Sequence, residues 1–447
     1  MSDKQRPPPP PNDGEIVERN NVFLDGNRVK RSPDSKANWK EKTIWTGDNL
    51  PIMRGMNSES VDLIYLDPPF NSKRDYAAPI GSEAAGAEFK DTWTLNDIDK
   101  EWIDLIKGKH EKLYHVILAT IKNSDKSYLA YMAPRLIEME RILKPSGSIY
   151  LHCDATMSHS LKMMMDVIFK KGEFKREIIW NLQTASGYKS QVNGYIRGHD
   201  TILYYTKSKD EFVFNKQYKE HKPEYIARFK KVDNGRRYRD DRGGGRRQYL
   251  DETKGVALTD VWSDIMSFQQ NATSKEITGF ETQKPEALLQ RIINASSNKG
   301  DLIFDPFCGC ATTLVAADDL QRNWVGIDIS PKAVELVKRR IKNKQKLFKD
   351  IISRDDIPQR SDMGKLPPPR YHLKTLYGEQ EGYCNGCGDW YKSKDFEVDH
   401  ITAKSKGGSD HIDNLQLLCS DCNGKKGDRG MEYLIQRLKL DKRELRL

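Results

Sequence analysis

The sequence predicts an α/β protein built on a mostly parallel sheet, joined to a second, much smaller domain. Three observations carry this. The chain of 447 residues is about three times the length of a typical single domain and should hold more than one core. Short apolar strands alternate with segments of helical periodicity up to about residue 345, the pattern of a sheet with helices on both faces. Beyond a stretch rich in Pro, Gly and charge (355–372), four of the seven cysteines fall in two CxxC pairs, too few for a disulfide scaffold but suited to a metal in a reducing compartment.

Residues 1–38, with the Pro7–Pro11 tract and little apolar content, read as a disordered tail. TIWT at 43–46 and VDLIYL at 61–66 are strands, the second running straight into Asp67-Pro68-Pro69-Phe70. LAYMAPRLIEMERIL (129–143) is helical and stops at Lys144-Pro145-Ser146-Gly147, after which SIYLHC is a strand. SLKMMMDVIF (helix), EIIW and TILYYT (strands), PEALLQRIINAS (helix, 285–296), DLIF and NWVGID (strands) complete an α/β domain over 39–354. A net charge of +9 suits a polyanionic partner, with nucleic acid leading. The mean hydropathy of −0.75 and the lack of any long uncharged apolar run argue against a membrane span. The polar N-terminus does not read as a signal peptide, so a cytoplasmic, nucleoid-associated protein is expected.

The tetrapeptide Asp67-Pro68-Pro69-Phe70 directly follows its strand, at the carboxyl edge where such sheets place ligands. An exocyclic base amine is a poor nucleophile because its lone pair is delocalised into the ring. Two acceptors are needed to draw that pair out. The Asp67 carboxylate and the Pro68 carbonyl can accept both amine hydrogens, while Phe70 stacks on a base flipped from the duplex. A second element, Phe304-Asp305-Pro306-Phe307-Cys308-Gly309-Cys310-Ala311-Thr312-Thr313, follows strand DLIF and opens a helix, and Asp328 ends NWVGID 19 residues past Gly309. A glycine permitting close backbone approach and an acid accepting from ribose hydroxyls suit a nucleoside cofactor. No GxGxxG is present.

This loop resembles the adenosylmethionine loop of DNA methyltransferases. The order of motifs, DPPF first and cofactor loop last, is that of the permuted β class of amino-methyltransferases, a resemblance covering roughly 43–345. It implies S-adenosyl-L-methionine as cofactor, held by Asp305, Phe307, Gly309 and Asp328, with Thr282-Gln283-Lys284-Pro285 packing beside the methionine moiety. It also implies Asp67, Pro68 and Phe70 as catalytic residues. Asp67 favours adenine N6 over cytosine N4, which would usually show Ser there. One departure stands out: Cys310-Ala311 replaces a small residue and a second glycine. The class carries its target-recognition segment between the motifs, here 183–280. Residues 216–247 hold 12 Lys/Arg against five Asp/Glu, interleaved with Tyr218, Tyr225, Phe229 and Tyr238. That composition suits phosphate contact and base stacking, or alternatively a solvated charged insertion. Cys153, Cys308, Cys310, His152 and His199 read as packing or local polar residues.

In the C-terminal domain (373–447), Cys384, Cys387, Cys419 and Cys422 can close a tetrahedral, structural Zn²⁺ site. Between and beyond them lie Val398-Asp399-His400-Ile401, Lys406-Gly407-Gly408, Asp413-Asn414-Leu415-Gln416-Leu417-Leu418 and Asn423-Gly424-Lys425-Lys426-Gly427. Together they resemble the HNH, or ββα-metal, nucleases. The resemblance implies His400 as general base, Asp399 and Asn423 as ligands of one Mg²⁺-like ion, and Asn414 as the residue orienting the His loop. Mg²⁺ is favoured because the last family letter is Asn, a harder ligand than imidazole. The basic residues Lys425, Lys426, Arg429, Arg437 and Lys439 either touch phosphate or form a solvated face. The expected partner is double-stranded DNA, with no membrane. A homodimer on DNA would let one nicking site per chain give a double-strand break. Two other readings stay open: a zinc module that only grips DNA, and an RNA-modifying enzyme.

Overall fold

The computed structural model describes residues 36–70, 76–77, 88–89, 110–182, 191, 193–240, 245–271, 273–279, 282–344, 351–362, 368–380, 382–406, 408, 410 and 412–444. Nearly all of the expected disordered tail, residues 241–244 of the basic loop and part of the 355–372 linker lie outside them. The chain divides into two compact units, Trp39–Ile357 and Pro358–Leu447, the latter taken with Met1–Asn38.

The larger unit is built on a nine-stranded sheet. Its order is Val261–Trp262, Phe174–Asn181, His199–Thr206, Leu143–Cys153, Val61–Leu66, Leu302–Asp305, Asn323–Asp328, Thr43–Thr46 and Ile352–Arg354. His199–Thr206 runs antiparallel to both of its neighbours, and the other pairings are parallel. The predicted α/β class is therefore what is found, with one reversed strand. Helices Asn49–Gly55, Asn123–Ile142 and Ser158–Ile168 form one packed group, and Glu286–Ser296, Thr312–Asp319 and Pro331–Lys344 another.

Strand Val61–Leu66 shows why the apolar runs are continuous. Leu63 and Tyr65 join the core formed with helix Glu286–Ser296. Ile64 and Leu66 are as fully buried but, by the alternation of a strand, point to the opposite face. A strand covered on both faces has no polar side to show.

The expected recognition interval 183–280 does not stay outside this sheet. Within it, His199–Thr206 is a central strand whose Ile202 and Tyr205 are fully buried, and Val261–Trp262 forms the sheet's edge. The excursion lies between them: a three-stranded sheet of Lys231–Asp233, Arg236–Asp240 and Arg247–Tyr249, and a two-stranded one of Tyr218–Lys219 and Val256–Ala257.

In the smaller unit, strands Phe396–His400 and Leu415–Cys419 pair antiparallel, with Asp399 opposite Gln416 and His400 opposite Leu415. Helix Ser420–Lys426 follows directly. Cys384, Cys419 and Cys422 share a core with Leu376, Phe396, Leu417 and Leu434.

Candidate functional site

Parallel strands deliver Asp67, Asp305 and Asp328 to one edge of the sheet, since Leu302–Asp305 pairs with both Val61–Leu66 and Asn323–Asp328. All three acids line a single cavity of about 340 Å³, together with Pro68, Phe70, Lys284, Phe307 and Gly309. Asp328 holds the cofactor-loop backbone from both oxygens: Oδ2 accepts from the Gly309 N–H at 2.7 Å and Oδ1 from the Ser330 N–H at 2.8 Å. Gly309 has φ +47°, in the left-handed region that glycine enters without strain. Ala311, two residues on, is also left-handed at φ +64° and stands just before helix Thr312–Asp319. The departure from the family's second glycine thus falls at a position whose backbone favours glycine, and the chain tolerates the smallest side chain there. Burial, with the charges of Asp67 and Asp328 adding to it, pushes Asp305 up to about 7 although Thr313 opposes the shift.

At the DPPF end, Lys284 Nζ donates to Asp67 Oδ2 at 2.5 Å. The other oxygen, Oδ1, is buried and has no hydrogen-bond partner among the described residues. Lys284 also stands 5.2 Å over the centre of the Phe70 ring. Behind Phe70 lies His152, fully buried, its ring stacked at 5.9 Å and 25°. Pro285, expected beside the cofactor, does not line the cavity. It is buried and precedes helix Glu286–Ser296 as its N-cap, so its rigid ring starts the helix instead.

In the excursion expected to read DNA, three of the twelve cations of 216–247 are paired with acids among the described residues, Arg236 with Asp251 and Glu252, Arg247 with Asp233, and Lys231 with Asp240. Arg239 stacks over Tyr225 and Phe229 at 4.9 and 5.1 Å. Phe229, read as a base-stacking candidate, is fully buried and belongs to local packing, while Tyr218 is exposed.

In the smaller unit the four cysteine sulfurs lie within 4.8 Å of one another. Four thiolates at that separation are the donor set of a closed tetrahedral zinc centre. Asn414 brackets the loop after His400: its Nδ2 donates to the Thr402 carbonyl at 3.0 Å and its Oδ1 accepts from the Thr402 N–H at 2.9 Å. A side chain at Gly408 would strike the Thr402 carbonyl at 1.7 Å. His400 Nε2 meets Asp410 Oδ1 at 2.7 Å, and Lys404 bonds the other Asp410 oxygen at 2.7 Å. Asp399 accepts from Gln416 at 2.9 Å and faces the Lys426 ammonium at 3.0 Å. Lys426, expected on the basic outer run, is instead fully buried, held also by the His400 carbonyl at 2.7 Å. Asn423 donates to Glu397.

Comparison with known proteins decides the family of the larger unit, because the profile described as DNA methylase matches residues 61–339, well over half the chain. This chain is a member of the DNA methylase family. A second profile, HNH endonuclease, matches 383–429, so a DNA methylase and an HNH domain are fused in one polypeptide. Among curated proteins the chain is similar to the type II methyltransferase M.EcaI of Enterobacter cloacae, 28% identical over 66% of this chain and 68% of that one. It is similar to the type II methyltransferase M.BamHI of Bacillus amyloliquefaciens, 28% identical over 84% and 71%. It is also similar to the DNA adenine methyltransferase YhdJ of Escherichia coli strain K12, 27% identical over 67% and 82%. No described helix is long and apolar enough to cross a membrane.

Several residues of the DNA methylase cavity escaped the sequence reading. Gly47, Asp48, Asn49, Tyr131 and Arg135 line it. Arg135 bonds Asp48 at 2.8 Å and Asn49 at 2.7 Å, and Asn49 ties this turn to the cofactor loop through the Pro306 carbonyl at 2.8 Å. The signal was present: TIWTGDN is also a strand ending in a turn at the same sheet edge. Cys308 and Cys310, read as packing, are buried yet contribute to the cavity wall. In the HNH domain, Glu397, Asp410, Gln416 and the inward role of Lys426 were missed, because their partners are set by pairing across the two strands and the loop.

Proposed function

We propose that the chain methylates adenine N6 in double-stranded DNA, using S-adenosyl-L-methionine, and cleaves DNA through its HNH domain, so that one polypeptide is a restriction-modification enzyme. The observation that carries the methylation reading is the buried Oδ1 of Asp67, an acceptor with no donor among the described residues, on the same cavity as Asp305, Gly309 and Asp328. A buried acceptor left without a donor costs free energy, and an amine hydrogen would relieve it.

The cavity's residues fit the cofactor: Asp328 for ribose hydroxyls, Gly309 for close backbone approach, and Asp305 as an anion for a cationic ligand. When bound, S-adenosyl-L-methionine supplies an electrophilic methyl group. Asp67 Oδ1 and the Pro68 carbonyl accept the two hydrogens of the target amine and localise its lone pair. Lys284 holds Asp67 Oδ2 and so leaves Oδ1 turned to the amine. Phe70 provides the face on which the flipped base stacks. Adenine is favoured by Asp67 itself and by the similarity to a relative named a DNA adenine methyltransferase.

For the HNH domain, the four cysteines fit structural Zn²⁺, and Asp399 and Asn423 offer the hard oxygens that Mg²⁺ prefers. When bound there, Mg²⁺ stabilises the leaving oxygen of a phosphodiester. His400, held by Asp410, takes the proton of the attacking water. A second reading, in which the HNH domain only grips DNA, is favoured by one observation: Lys426 already neutralises Asp399. A cytoplasmic, nucleoid-associated location and pairing of two chains on DNA belong to the same proposal. Single-molecule methylation mapping of DNA from a host expressing the chain tests it. N6-methyladenine within one defined sequence is expected; N4-methylcytosine, or no mark, would overturn it.

A further inference from the structure

His152 is the penultimate residue of the strand Leu143–Cys153 inside the methylase core, and nothing in the chemistry above uses it. It is fully buried, yet both ring nitrogens are engaged. Nε2 meets Asp200 Oδ2 at 3.2 Å and Nδ1 meets the Tyr65 hydroxyl at 2.9 Å. Asp200 is itself bonded by Arg197, which also reaches Asp154 at 3.1 Å. Burial works to raise Asp200, but the bond from His152 and the charge of Arg197 outweigh it and hold the carboxyl well below its usual range. An ionised Asp200 only accepts, so Nε2 donates to it, and Nδ1 is paired with the Tyr65 hydroxyl. Partners at both nitrogens fix the plane of the imidazole. Trp180 and Tyr65 meet the ring edge-on, at 5.8 Å and 88° and at 6.3 Å and 86°. The contact near parallel is the one with Phe70, 5.9 Å and 25°.

We propose that His152 is a positioning residue for the target base: its locked imidazole backs the inner face of Phe70 and sets the ring on whose outer side the base stacks. The geometry is that of a layered stack, imidazole, phenyl ring and then base, clamped from below by hydrogen bonds spanning three strands. Phe70 is half-buried, and without this backing a phenyl ring has two side-chain torsions with which to leave its place. Lys284 over the same ring steadies Phe70 from the side of Asp67. The proposal rests on the reading of Phe70 as the base-stacking residue.

The test uses the full chain and a duplex carrying its mapped site with 2-aminopurine at the target position, whose fluorescence reports the stacking of the flipped base. Three variants, Phe70→Ala, His152→Ala and His152→Phe, are compared for that fluorescence, for KM on unmodified DNA and for cofactor affinity by calorimetry. For His152→Ala we expect a KM for DNA raised about tenfold, as one base-stacking contact is weakened, brighter 2-aminopurine, and cofactor affinity within twofold of wild type. His152→Phe keeps a ring behind Phe70 and should restore fluorescence and KM toward wild type. A folded His152→Ala with wild-type KM and fluorescence overturns the proposal. Should that variant fail to fold, His152→Phe is read alone, and a base signal as disturbed as in Phe70→Ala overturns it. If Phe70→Ala itself changes neither signal, the base-site reading is what fails; if Phe70→Ala is impaired and His152→Ala is not, only the role of His152 falls.

Discussion

Two carboxylates in one cavity serve opposite ends of the proposed reaction, and single substitutions separate them. Asp67→Ala should abolish methyl transfer while leaving cofactor binding largely intact, because that carboxylate is the acceptor proposed for the target amine. Asp328→Ala should weaken cofactor binding first, since it holds the Gly309 and Ser330 amides. Calorimetry with the cofactor beside a labelled-methyl assay checks both, and normal turnover in Asp67→Ala would refute the DPPF assignment. Asp305 adds a pH dependence. Its folded value of about 7 lies above the ordinary carboxylate value near ~4. Between these values the folded state holds more protons than the unfolded one, so the stability that Asp305 contributes is complete below pH ~4 and lost as pH rises through 7. A cationic cofactor favours the ionised form, so binding should tighten as pH rises from about 6 to 8 and should release a proton near pH 7. Calorimetry in buffers of different ionisation enthalpy measures that proton, and Asp305→Asn should remove it.

At the scale of elements, the cysteine knuckles and the methylase sheet have separate cores. Cys419→Ser should therefore unfold the C-terminal unit, whose Cys384, Cys419 and Cys422 are buried with Leu417 and Leu434, and spare methylation. Proteolysis with and without a chelator, alongside elemental analysis, checks this; active protein without zinc would contradict it. Elements were also what the sequence disclosed best. VDLIYL followed by DPPF, and DLIF followed by the cofactor loop, are local patterns in which an apolar strand runs into its chemistry, and the structure has both strands where their residues predict them. Pairings over long separations were not legible. Lys284 meets Asp67 across 217 positions, and nothing near either residue announces it. Lys426 read as one more surface cation because its run is basic, whereas the antiparallel pair beside it leaves Asp399 buried and in need of a counter-ion. The composition of 216–247 shows its positive charge, but not that Arg236, Arg247 and Lys231 are paired with acids brought near by the fold.

At the scale of the whole molecule, a small HNH domain can supply backbone contacts but little base reading, so methylation and cleavage are expected to share the recognition excursion of the methylase. Cleavage near the methylated site follows, and one HNH site per chain should nick one strand. The measurement that tests this account most directly is cleavage of matched DNA substrates by the purified chain with Mg²⁺, one unmethylated and one methylated beforehand at the mapped site. The account predicts nicks near the site in unmethylated DNA and none in methylated DNA. His400→Ala should be silent in cleavage and normal in methylation. Faster cutting of the methylated substrate, or no cutting of either, would contradict it.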